Sequence, residues 1–127
     1  MSHEVHIYTD GAAKGNPGPA GYGVVMEMVG TPYKKEFYEG FRLSTNNRME
    51  LLAAIRTLQW IIKNRSIDRK DPSANKELYK IHTDSNYVKE GITKWIIGWK
   101  KKNFVGVKNP DLWQLLDKLN VHMGKCV

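Results

Sequence analysis

Three acidic residues stand where a regular element meets a polar turn: Asp10 in YTDGAAKGNPGPAGYG, Glu50 in TNNRMELLAA and Asp84 in HTDSNYV. Carboxylates brought to one sheet edge repel each other, so a cation normally has to hold them together. Carboxylates are hard oxygen ligands suited to such a cation, and such sites serve attack at phosphate. The spacing therefore points to phosphoryl chemistry.

A second constellation lies between Gly91 and Pro110, where Lys94, Lys100, Lys101, Lys102 and Lys108 occur without a single acid and are interleaved with Trp95, Trp99 and Phe104. Cations beside flat rings offer phosphates a counter-charge and give bases a surface to stack on. An amphipathic helix whose tryptophans pack inward has the same pattern, and both readings stay open for Trp95 and Trp99.

Elements must carry these groups to one place. Val5 to Thr9 alternates as a strand, Gly15, Pro17, Gly18 and Pro19 force a turn, and Tyr22 to Val29 and Tyr33 to Leu43 read as two more strands. Their short connections predict an antiparallel meander. From Asn46 to about Asn64 the period becomes helical, with Leu51, Ile55, Leu58 and Ile62 on one stripe and Met49, Leu52 and Ala53 beside it. Arg65 to Lys76 reads as a loop, and Glu77 to Thr83 as a strand, so the long helix is a right-handed parallel crossover. Short helices follow over Ser85 to Gly91 and Thr93 to Lys102. A last one opens at Asn109-Pro110-Asp111, with Asn109 as its cap and Leu112, Leu115, Leu116 and Leu119 as its apolar face. The fold class expected is α/β: a mixed sheet of three antiparallel strands followed by a parallel one, with helices on both faces. In it, Asp10 and Asp84 fall at the same strand ends and Glu50 in the first turn or so of the crossover helix.

Residues 1–127 are expected to form a single domain. Lys and Arg outnumber Asp and Glu by 20 to 13, a balance of +7 that favours a polyanionic partner. Cys126 is the only cysteine, and MSHEVHIYTD contains no long apolar run, so the expectation is a cytoplasmic protein in a reducing compartment without a membrane partner. His3, His6 and His82 show no ligand spacing, and His6 and His82 are read simply as strand positions.

Taken together, YTDGAAKGNPGPAGYG, STNNRMELLAAI, HTDSNYV, GITKWIIGWKKK and KNPDLWQLLDKL resemble, in order, the signature segments of type 1 ribonuclease H, from about Val5 to Leu119. The resemblance implies a ribonuclease H-like fold and an endonuclease that hydrolyses the RNA strand of RNA–DNA hybrids with two metal ions, leaving 5′-phosphate and 3′-hydroxyl ends. Mg²⁺ is the implied cofactor, with Mn²⁺ as a substitute, and Asp10, Glu50 and Asp84 match three of the family's four metal-binding acids. Substrate contact carries over to Gly11, Asn16, Thr45, Asn46, Asn47 and Asn86, the DNA-strand channel to Trp95 and Trp99, and counter-charge to Lys100 and Lys101. Thr45 or Asn46 as a helix cap, and Asn16 as a turn residue, are the structural alternatives.

The family pattern continues into another strand, a loop with a catalytic His and a helix supplying the fourth acid. Here no Asp or Glu follows Asp117, and Val121 to Val127 reads as a short strand in place of the missing one. The expectation is a monomer truncated in its C-terminal part, with a partner chain as one means of covering the exposed edge. The alternative function is a catalytically impaired hybrid-binding module.

Overall fold

The computed structural model describes residues 3–65 and 77–123. Strands β1 (His3–Ala13), β2 (Gly18–Met28) and β3 (Lys34–Ser44) form the meander, helix α1 (Asn46–Arg65) crosses over, and β4 (Glu77–Thr83) enters beside β1. The sheet order is β3-β2-β1-β4. β1 runs antiparallel to β2 from Val5↔Met28 to Ala13↔Ala20 and parallel to β4 from His3↔Glu77 to Thr9↔Thr83. This is the expected mixed α/β sheet.

Strand ends differ from the sequence reading by a few residues. β1 runs on past Asp10, because its hairpin with β2 stays paired to Ala13 and is closed by the Lys14 N–H donating to the Pro19 carbonyl at 2.7 Å. Asp10 nevertheless is the first residue beyond the parallel ladder, which stops at Thr9, as Asp84 is the first beyond β4.

One face of the sheet makes the core. Val5, Ile7, Tyr22, Val24, Met26, Tyr79 and Ile81 are buried with Met49, Leu51, Ala53, Ala54, Ile55, Leu58 and Ile61 of α1. The buried positions 51, 54, 55, 58 and 61 follow the helical period, so Ile61 replaces Ile62 as the last position of the inner stripe, Ile62 being half-buried. Thr57 is fully buried as well, its hydroxyl satisfied by the Ala53 carbonyl at 2.7 Å. The expectation of helices on both faces is corrected among the described residues: α1 covers the core face, while the opposite face displays Tyr8 and Tyr38, which are 47% and 86% exposed. On that face His6 and His82, three strands apart in sequence but adjacent in space, stack at 4.9 Å with their ring nitrogens 2.7 Å apart, and Tyr8 stacks on His82 at 5.0 Å.

After β4 come α2 (Asn86–Glu90), a π-helical turn (Gly91–Trp95), α3 (Ile96–Lys101) and α4 (Pro110–His122). The predicted break at Ile92 is absent, because the π turn carries the helix through. A side chain at Gly91 would collide with the ring of Trp113, which is fully buried. The region 66–76, predicted as a loop, lies outside the described residues. So does most of the predicted Val121–Val127 strand, and Val121 and His122 are helical, being the last turn of α4. No helix among the described residues is long and apolar enough to cross a membrane.

Candidate active site

Asp10 and Asp84 are exposed at the end of the β1–β4 ladder and line one groove of about 440 Å³ with Tyr8, Gly23, Val25 and Tyr38. A larger hollow of about 520 Å³, around Glu27, Gly30 and Tyr33, has no comparable carboxylate pair. The chemistry, more than the size of the hollow, picks out the first groove.

Glu50 reaches this end from α1. The Gly11 N–H donates to its Oε1 at 3.0 Å, and the Thr83 hydroxyl lies 3.5 Å from its Oε2. Thr83 in turn accepts from the Ser85 N–H at 3.1 Å, so the residue before Asp84 is tied both to Glu50 and to the start of α2. Burial pushes the Glu50 carboxyl up and the Gly11 N–H pulls it down; the negative charges of Asp10 and Asp84 push it up further, against a smaller opposing pull from Thr83. The three carboxylates thus lie within electrostatic reach of each other. Among the described residues no three His, Cys, Asp or Glu side chains converge closely enough to grip an ion as they stand. Two of these three are exposed, and like charges hold them apart. An all-oxygen set of this charge suits a hard divalent cation, which would offset both the burial that raises Glu50 and the lesser push from Asp10 and Asp84.

The Gly11 position has a structural reason beside the substrate contact expected of it. A Cβ there would lie 2.7 Å from the Met49 carbonyl carbon and 2.8 Å from the Glu50 nitrogen, so its bare Cα makes room for the backbone of α1. Asn16, predicted to touch substrate, accepts the Asn46 N–H at 3.0 Å, and Asn46 Oδ1 accepts from the Ala13 N–H. Together they latch the β1–β2 turn to the start of α1. Thr45 is the helix cap, its hydroxyl accepting from the Arg48 N–H at 3.2 Å. Asn46 and Asn47 are exposed on the first turn, and Asn86 is exposed at the start of α2, beyond the Ser85 cap.

The aromatic and basic segment projects on the π turn and α3, apart from the acids in sequence and element. Trp95 is 44% exposed. Trp99 is half-buried, 5.9 Å from Trp95 and edge-on to Trp113 at 5.0 Å, so the two open readings divide: Trp95 faces solvent and Trp99 packs inward. Lys101 is exposed, whereas Lys100 is paired with Asp117 of α4 at 3.0 Å. Asp111 pairs with Arg48 at 2.9 Å while its side chain stays largely exposed. Sequence reasoning passed over Arg48, whose partners lie more than 60 residues away and leave no local signal.

Comparisons with known proteins agree on the kinship. The family model described as RNase H matches residues 2–126. The chain is similar to proteins named Ribonuclease H from Aeromonas hydrophila, 48% identical over 122 residues, and from Shewanella sp. strain ANA-3, 49% identical over 121 residues. These alignments cover 92% and 90% of this chain but 70% and 66% of the relatives' lengths. Among solved structures, LC9-RNase H1 matches with a TM-score of 0.75 at 22% identity, covering 94% of this chain and 59% of that one, a likeness of fold. LC11-RNase H1 in complex with an RNA/DNA hybrid matches with a TM-score of 0.58 at 25% identity, over 95% of this chain and 80% of that one.

Proposed function

The chain belongs to the ribonuclease H family, and from that premise we propose that it is an endonuclease hydrolysing the RNA strand of RNA–DNA hybrids, with a divalent metal, Mg²⁺ or Mn²⁺ in its place, held by Asp10, Glu50 and Asp84. The observation that carries the reading is the placement of these carboxylates, from β1, α1 and β4, at one sheet end, with Glu50 oriented by the Gly11 N–H and its carboxyl raised by burial first and then by the charges of Asp10 and Asp84.

When bound, two such ions polarise the scissile phosphate, supply an activated water and stabilise the leaving oxygen. The chain's own residues bind and orient. The start of α1 presents Asn46 and Asn47 where a helix N-terminus attracts phosphate. Asn86, exposed just past Asp84, is positioned for polar contact with a strand lying over the acids. Short polar side chains of this kind suit the wide, shallow groove in which 2′-hydroxyls distinguish the RNA strand. Trp95 offers a face for the DNA strand, and the exposed Lys94, Lys101 and Lys102 neutralise its phosphates. The latch between Asn16 and Asn46 ties the turn after β1 to the start of α1.

The reading is tested by the ends it leaves. Products with 5′-phosphate and 3′-hydroxyl ends, recovered from the RNA strand alone and only with added metal, are expected. Cutting of both strands, or products bearing 3′-phosphate, would overturn it.

A further inference from the structure

Glu50 and Asp84 stand on elements that are far apart in the chain, and a polar cluster outside the groove joins those elements through a third. Arg48, two residues before Glu50, donates from Nη1 to Asn109 Oδ1 at 3.0 Å and forks onto Asp111, with Nη2 2.9 Å and Nη1 3.3 Å from the carboxylate oxygens. Asn109 sits in the left-handed region at φ 55°, which asparagine adopts more readily than other non-glycine residues. Its side chain does not cap α4. Instead its Nδ2 donates to the Tyr87 hydroxyl at 3.2 Å, which also accepts from Trp113 Nε1 at 2.9 Å. Tyr87 follows Asn86 in α2, three residues after Asp84, and its ring meets the buried Trp113 edge-on at 5.1 Å.

A continuous path therefore runs from Glu50 through Arg48, Asn109 and Tyr87 to Asp84 without using the sheet. The Arg48–Asp111 ion pair is open to water, with the acid side chain 61% exposed, and pairs of that kind add little to stability. Five directed hydrogen bonds join α1, α2 and α4 around this pair, and placement is what they supply beyond it. Carboxylates that share cations must be held within fractions of an ångström, and small misplacement is costly in rate.

We infer that Arg48, Asn109 and Tyr87 are positioning residues for the reaction: the Arg48–Asn109–Tyr87 clasp fixes the separation between Glu50 and Asp84 and so governs metal binding and turnover. The inference rests on the hydrolytic reading above. None of the three is assigned contact with substrate, so the clasp acts on kcat and on metal affinity and leaves hybrid affinity unchanged.

The test uses the whole chain and three variants, Tyr87→Phe, Arg48→Lys and the double substitution, with circular dichroism to verify folding. Tyr87→Phe keeps the ring against Trp113 and removes only the hydroxyl that two donors share, so it reports even where Arg48→Lys fails to fold. Steady-state cleavage of a hybrid is expected to show kcat lowered by roughly tenfold with KM unchanged. The double variant is expected to lose less than the product of the single losses, since both act through one path. Titration calorimetry with Mn²⁺ alone, without nucleic acid, is expected to show weakened binding in Tyr87→Phe. Wild-type kcat with only a lower melting temperature would overturn the inference, as would a loss confined to KM. Should the wild type cut no hybrid, the hydrolytic reading falls; unchanged Mn²⁺ affinity in Tyr87→Phe separately overturns the clasp.

Discussion

The Gly11 backbone N–H donates to the Glu50 carboxylate at 3.0 Å, across a gap between β1 and α1 too narrow for any side chain on residue 11. One residue thus brings the helix close and orients the acid it carries. Gly11→Ala is expected to force the helix away, at a cost of about 1–3 kcal/mol in stability, and to displace Glu50. Chemical denaturation and hybrid cleavage on the same preparation check this: lowered stability with kcat reduced is expected, and intact kcat would show that Glu50 is placed by other means.

Metal-free stability should depend on Glu50 in a definite direction. Its carboxyl titrates above the ordinary 4.5, so the native state holds this proton more tightly than the unfolded chain. Its contribution is fully present below pH 4.5 and is lost as pH rises through the raised native value. Asp111 behaves oppositely: Arg48 holds it below 3.8, so its contribution is present above that value and lost as pH falls through the lowered one. Glu50→Gln removes only the first dependence. Urea melts in the presence of EDTA should show the variant gaining on the wild type as pH rises above about 4.5; a constant difference would contradict the electrostatic account.

Added Mg²⁺ or Mn²⁺ should reverse that order, since a ligand that binds only the native state stabilises it, by about 2.7 kcal/mol at a hundredfold excess over Kd. Wild type is expected to gain thermal stability with metal and Glu50→Gln to gain much less. Equal gains would remove Glu50 from the ligand set.

Much of this site was legible in local sequence, and the reasons are local too. Asp10 and Asp84 could be placed because each follows the last residue of an apolar alternation, although β1 itself runs on to Ala13, and Glu50 because the asparagines before it open a helix of strong period. The roles of Asn16, Arg48 and Asn109 were not legible, because their partners are 22 to 63 residues away. His6 and His82 were read separately and meet only through the parallel register. Residue type alone suggested a cap at Asn109, whereas its amide is spent on Arg48 and Tyr87, a choice set by tertiary packing. The tryptophans showed the same limit: alternation with lysines did not reveal that Trp113 would take Trp99 inward and leave Trp95 exposed.

Thr45 separates cap from contact. Its hydroxyl accepts the Arg48 N–H, so Thr45→Ala should cost about 1 kcal/mol while Thr45→Ser stays near wild type. Thermal melts check the cap. A Thr45→Ser variant that melts normally and binds hybrid poorly would show the methyl in contact with substrate.

Trp95 and Trp99 should respond differently. Trp95→Ala is expected to raise KM for hybrid by roughly tenfold, the value of about 1.4 kcal/mol of lost stacking, with little change in melting temperature. Trp99→Ala should lower the melting temperature as well, because its ring packs on Trp113. Equal melting losses in the two variants would contradict the assignment of Trp95 to solvent.

The most direct measurement is cleavage of an RNA–DNA hybrid labelled on its RNA strand, with Mg²⁺ or Mn²⁺, comparing the wild type with Asp10→Asn and with single-stranded and duplex RNA as controls. The account predicts metal-dependent cutting of the hybrid's RNA strand that is abolished in the variant. Tight hybrid binding without cutting, or cutting that survives Asp10→Asn, would contradict it.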